Sequence, residues 1–216
     1  MQLFVGTSGL EGALERYAER FNLLELSTDA EELPRTRTLS RWRAAVPDEF
    51  SFCLRVPKAW AALNLEGPEQ RFFEAAAALR PAWCVVATPS SVTPSRATLD
   101  RMKTLLDRLR GAGFERVAWE PRGVWQDEEA QRWAKELGVH PVVDAARVDP
   151  AREPVIYTRL RALGLEARVR ISSLERVAER LRAAEEAWVV MEGRGAEHGA
   201  RWLREALAEP APGVEV

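Results

Sequence analysis

Cysteine and histidine each occur only twice in the 216 residues, and that scarcity excludes several functions at once. Cys53 and Cys84 sit inside apolar stretches without metal-ligand spacing, so they read as buried thiols rather than a zinc site or a disulfide framework. Reduced thiols place the chain in the cytoplasm. His140 opens a strand and His198 falls in the first turn of the last helix. Neither has a serine or cysteine nucleophile beside it in sequence, so no nucleophilic triad is expected. Lysine is confined to positions 58, 103 and 135, leaving 28 of the 31 basic residues as arginine. Thermophilic origin and GC-rich codon usage both produce that bias.

Other absences narrow the field further. No run of about 18 apolar residues occurs, so a spanning helix is not expected. The start, "MQLFVGTSGLEG", lacks the basic region and long apolar core of a secretory signal. With a formal net charge of -2, the chain has no basic excess for nucleic acid or an anionic membrane surface.

What is present is a regular alternation. Strand-like runs rich in Val, Leu, Ile and aromatics fall at 2–8, 23–28, 50–57, 82–89, 116–121, 140–145, 154–161 and 187–193. Between most of them lie helical patterns with apolar stripes, such as Leu14, Tyr17, Ala18 and Phe21, or Leu99, Met102, Leu105, Leu106 and Leu109. "SSLE" at 172–175 reads as a capping box, and "DEEAQRWAKELG" starts on acids and stops at Gly138. The exception is "RVDPAREP" (147–154), with two prolines and no helical period. Eight β-α units averaging 27 residues, one with its helix replaced by a loop after strand six, predict a compact TIM-type (β/α)8 barrel in a single domain over 1–216. An open doubly wound sheet is the competitor, but "GTSGLEG" does not fit its glycine fingerprint. Residues 208–216 read as a flexible tail.

Alternation along each strand then decides which side chains share a face. If Leu24 and Leu26 face the helices, Glu25 faces inward. The same parity groups Arg55 with Cys53, Glu120 with Ala118, Asp144 with Val142, Glu192 with Val190, and Tyr157 with Arg159 and Arg161. Arg122 continues the line of Glu120. Most of these groups lie near strand C-terminal ends, where barrel enzymes build their sites.

Several stretches resemble the YecE-like family, domain of unknown function 72: "GTSG" on the first strand, "LLEL" on the second, "FSFCLRVPK" on the third and "WEPRGVW" on the fifth. "YTRLR" and "MEGRGAEHGARWLREAL" follow in the same order with weaker likeness. The resemblance implies a β/α barrel and brings no established activity with it. Gly6, Thr7, Ser8, Glu25, Glu120, Arg122, Trp125, Tyr157 and Arg159 keep the family's residue types, and Arg55 replaces its usual lysine. The Trp-Tyr pair and the long loop after "GTSG" are missing. Ala87 stands for a glutamine, Arg161 for a histidine, and "MEG" for Phe-Asn-Asn. A shortened, divergent member is expected.

Four acids (Glu25, Glu120, Asp144, Glu192) and four arginines (Arg55, Arg122, Arg159, Arg161) on inward positions permit two readings. They neutralise one another as a buried network, since unpaired buried charge costs several kcal/mol. Alternatively, the guanidinium groups bind a small anionic metabolite bearing phosphate or carboxylate. Gly193 and Gly195, leading into the last helix, read equally as a tight turn or a phosphate cradle, with Thr7, Ser8 and Tyr157 as further candidate contacts. Glu120, then Glu25, are the candidate acid/base groups for hydrolysis, isomerisation or lysis of that metabolite. A non-catalytic binding or interaction module with a decayed site is the alternative. A Mg- or Mn-dependent sugar isomerase using Glu120, Asp144 and Glu192 ranks below both, because Arg159 and Arg161 occupy the strand that would supply a histidine. No cofactor is expected, and nothing in the sequence sets an oligomeric state.

Overall fold

Eight parallel strands and eight helices alternate through the described residues of the computed structural model, which are 1–29, 33–66, 70–150, 153–161, 170–193 and 195–208. In chain order they are β1 (Gln2–Ser8), α1 (Leu14–Ala18), β2 (Leu23–Ser27), α2 (Thr36–Ala45), β3 (Ser51–Arg55), α3 (Lys58–Ala61), α4 (Gln70–Leu79) and β4 (Trp83–Thr88). Then come α5 (Arg96–Gly111), β5 (Val117–Pro121), α6 (Asp127–Leu137), β6 (His140–Val143), β7 (Val155–Arg161), α7 (Ile171–Leu181), β8 (Glu186–Glu192) and α8 (Ala196–Ala208). The strand order β1 to β8 is that of a closed barrel. Of the predicted tail 208–216, Ala208 is instead the last residue of α8, and 209–216 lie outside the described residues.

Local chemistry explains the boundaries of α5 and α6. The Ser95 side chain accepts the Thr98 N–H at 3.1 Å and starts α5. The five-residue apolar stripe read from the sequence is the buried face of that helix. Asp127, Glu128 and Glu129 sit in the first turn of α6, where the helix dipole favours anions, and Gly138 ends it. The capping box expected at 172–175 does not form. Helix α7 starts at Ile171 with Arg170 as its cap residue, so Ser172 and Ser173 already lie inside the first turn, past the position from which a hydroxyl caps.

Contacts divide the chain into two compact units: Met1–Leu24 with Val143–Val216, and Glu25–Val142. In the first unit β8 lies between β1 and β7, with Thr7 opposite Met191 and Arg161 opposite Glu192. Phe4 stacks on Trp188 with ring centres 3.8 Å apart. Gly199 of α8 packs against Met191 so closely that an added Cβ would lie 2.6 Å from its Cε, which marks Met191 as helix-facing. Val190 and Glu192 therefore face the other way, as parity requires. In the second unit β3, β4, β5 and β6 are neighbours. Trp119 meets Trp125, and Trp125 meets Trp133 of α6, each edge-on at about 5 Å. That ladder fixes the outer face of β5 and puts Ala118 and Glu120 on the inner one. Both cysteines are buried, and no disulfide joins them.

Between β6 and β7 no helix occurs among the described residues, as Pro150 and Pro154 predict. The backbone there is satisfied by side chains instead. Thr158 Oγ1 donates to the Val143 carbonyl at 2.9 Å and accepts the Ala145 N–H. Arg180, reaching from α7, donates to the carbonyls of Ala145 (2.7 Å) and Val148 (3.3 Å). Arg180→Ala is expected to cost about 1–2 kcal/mol, the usual loss when part-buried carbonyls give up a charged donor. Urea unfolding measures it, and a cost near zero would show the loop to be held by other means.

Candidate functional site

In the first unit, the C-terminal ends of β1 and β8 and the start of α8 enclose a cavity of about 560 Å3. Thr7, Ser8, Gly193 and Gly195 all line it, together with Glu11, His198 and Arg201. Gly193 (φ 99°) and Gly195 (φ 77°) take left-handed conformations that suit glycine, and they turn the chain from β8 into α8. Arg201 is exposed, and among the described residues no ion pair holds it. His198 and Arg201 were not singled out as ligands from the sequence. Their spacing of three residues puts both on one face of α8, which becomes informative only once the N-terminal strand is known to lie opposite.

The β1 side of this cavity is held from below. Tyr17, buried on α1, accepts the Thr7 N–H at 2.8 Å and donates its phenol to the Leu23 carbonyl at 2.7 Å. Burial pushes that phenol up to about 12, so it stays protonated and remains a donor throughout the physiological range. Gly6 makes the close approach possible, because a Cβ there would stand 1.8 Å from the Leu23 oxygen.

Beside this turn, β7 and β8 bring three charged groups together. Arg159 donates to Glu192 Oε1 at 2.8 Å and Arg161 to Oε2 at 3.3 Å, so two guanidinium groups share one carboxylate. Arg159 is 2% exposed, whereas Arg161 and Glu192 are partly open. Tyr157 lies two residues deeper on the same face of β7 and is buried at mid-strand, opposite Trp188. Asp144, just past β6, accepts the Ala146 N–H at 3.0 Å.

Burial raises the Asp144 carboxyl above its usual range, and its backbone hydrogen bonds only partly oppose this. A carboxyl whose folded pKa exceeds the unfolded one penalises the folded state when ionised, and the penalty disappears as pH falls through the folded value. Asp144→Asn keeps the Oδ1 acceptor, so it is expected to stabilise the protein at pH 7 and to lose that advantage at low pH. Thermal melts at both pH values check this; a variant less stable at pH 7 would contradict it.

The second unit holds the candidate acid/base groups, each with an arginine. Glu25 is fully buried, with Arg55 Nε 3.5 Å from its Oε1. Glu120 is 4% exposed and accepts a hydrogen bond from Arg122 Nε at 3.2 Å. Trp125, in the loop that follows, donates to the Val92 carbonyl and covers α6 as part of the tryptophan ladder.

Among the described residues no three His, Cys, Asp or Glu side chains gather as metal ligands. Both oxygens of Glu192 face guanidinium groups, and Glu120 faces Arg122. Carboxylates held this way carry cations already, and a divalent ion would have to displace them.

Comparison with known proteins places this geometry. The profile of the family described as "Protein of unknown function DUF72" matches residues 5–214. The protein YecE of Escherichia coli K12 is 40% identical over 45 residues, a stretch that is 21% of this chain and 16% of that protein. A DUF72 family protein from Enterococcus faecalis superposes with a TM-score of 0.75 at 17% identity, covering 97% of this chain and 98% of that one. A second, from Thermotoga maritima, gives 0.72 at 18% identity, covering 97% and 100%. An L-ribulose 3-epimerase gives 0.58 at 10% identity, covering 96% and 95%. At these identities the structural likeness is one of fold. Among the described residues no helix is long and apolar enough to cross a membrane.

Proposed function

The chain belongs to the DUF72 family, and from that premise we propose that it binds a small anionic metabolite, bearing phosphate or carboxylate, at the C-terminal ends of β1 and β8. One observation carries the proposal. Thr7, Ser8, Gly193 and Gly195, four positions marked in the sequence, line a single cavity that also contains Arg201. The cavity opens at the start of the 13-residue α8, whose dipole favours negative charge, although its Ala196 and Gly199 amides already donate to the Gly193 and Gly195 carbonyls. Arg201 adds a planar donor suited to phosphate or carboxylate. Arg159 and Arg161 both reach the carboxylate of Glu192, the last residue before the Gly193 turn.

A binding module without catalysis is the second reading, and the ion pairs favour it. Glu120 and Glu25, the groups that hydrolysis, isomerisation or lysis would use for proton transfer, each lie buried against an arginine. Such pairs hold a barrel together whether or not chemistry occurs. A thermal-shift screen at fixed ionic strength, against phosphorylated sugars and dicarboxylates, separates these outcomes. Stabilisation by one anion, lost in Arg201→Ala, supports the pocket. A flat screen rejects it. Turnover abolished by Glu120→Gln with binding intact would make the protein an enzyme.

A further inference from the structure

A second cavity, of about 510 Å3, lies between α7 and α8. Its wall is more apolar than that of the first: Ile171, Leu174 and Trp202 line it, together with the exposed Arg170 and with His198. Gly195 and His198 line both cavities, so the two meet along the first turn of α8. Ile171 is 54% exposed, which is unusual for a large apolar side chain at the start of a helix whose other apolar residues are buried. An exposed isoleucine beside a half-buried tryptophan, opening onto a polar cavity, makes a surface divided by polarity at His198.

We propose that the occupant of this site is an amphiphilic anion: its phosphate or carboxylate sits against Thr7, Ser8 and Arg201, and its alkyl or aryl group lies across His198 between Ile171 and Trp202. This rests on the anion pocket proposed above and narrows its ligand from polar sugar phosphates to anions carrying an apolar group. The division is chemical. A sugar hydroxyl placed between Ile171 and Trp202 meets apolar carbon, whereas an alkyl chain there removes both its own surface and that of Ile171 from water.

Calorimetric titration with hexyl phosphate and with glycerol phosphate, at equal ionic strength, tests it. The head groups match and only the tails differ. Hexyl phosphate is expected to bind about tenfold or more tightly than glycerol phosphate, the gain from burying several methylene groups in part. Ile171→Ser, a substitution at an exposed position that should not disturb folding, is expected to reduce that preference at least about threefold and to leave glycerol phosphate affinity unchanged. Trp202→Ala should act in the same direction. Equal affinities for the two phosphates in the wild-type protein overturn the amphiphile and leave the anion pocket standing. No binding of either overturns both. A preference for hexyl phosphate that survives Ile171→Ser and Trp202→Ala places the tail elsewhere and also overturns the assignment.

Discussion

Gly6→Ala is expected to destabilise the protein by on the order of 3 kcal/mol, lowering its melting temperature by roughly 6–12 °C. The cause is overlap with atoms that cannot move aside. An added Cβ would stand 1.8 Å from the Leu23 carbonyl oxygen, 2.6 Å from its carbon and 2.8 Å from the Tyr17 phenol oxygen. The first two belong to the neighbouring strand, so relief requires β1 and β2 to part. The third belongs to the side chain that holds the Thr7 amide, so relief also loosens the cavity wall. Thermal unfolding measures the effect, and a variant melting within about 2 °C of the wild type would show that β2 yields more easily than close packing allows.

Arg159→Ala is expected to cost about 3 kcal/mol in urea unfolding. Two losses combine: the 2.8 Å contact to Glu192, and the volume of a long side chain that is 2% exposed. Arg159→Met separates them, because methionine refills most of the volume and removes the charge. If packing dominates, Arg159→Met recovers more than half of the loss. If the ion pair dominates, both variants are equally unstable, even though Arg161 still reaches the other oxygen of Glu192. A loss below about 1 kcal/mol in both would mean that Arg159 contributes little to stability and is held for binding instead.

The fold was readable because its signal is periodic. Alternating runs at 2–8 and 154–161 end within a residue of β1 and β7, and the leucine stripe of α5 is the face that the structure buries. Strand parity put on inward positions the groups that the structure pairs, Arg159 and Arg161 with Glu192 and Arg55 with Glu25, but did not say which would meet. What escaped the sequence was every contact that depends on tertiary placement. Tyr17 read as one more apolar residue of a helical stripe, although its hydroxyl ties β1 to β2. Arg180 lies on an amphipathic helix like any surface arginine, and nothing local shows that it satisfies the loop after β6. The "SSLE" motif was a local signal that the actual start of α7 overrode, with the cap at Arg170 rather than Ser172. The short α3 before α4 also escaped, since four residues are too few to show a period. His198 and Arg201 became site residues only through the strand facing them.

Isothermal titration of inorganic phosphate at constant ionic strength bears most directly on the anion cavity, with Arg201→Ala compared against the exposed control Arg37→Ala on α2. One equivalent of phosphate should bind to the wild-type chain and to the Arg37 variant alike, and about tenfold or more weakly to the Arg201 variant, the usual loss with one charged hydrogen-bond donor. Absence of binding to the wild type, or equal weakening by the two substitutions, would mean that the cavity beside Thr7, Ser8, Gly193 and Gly195 holds no specific anion.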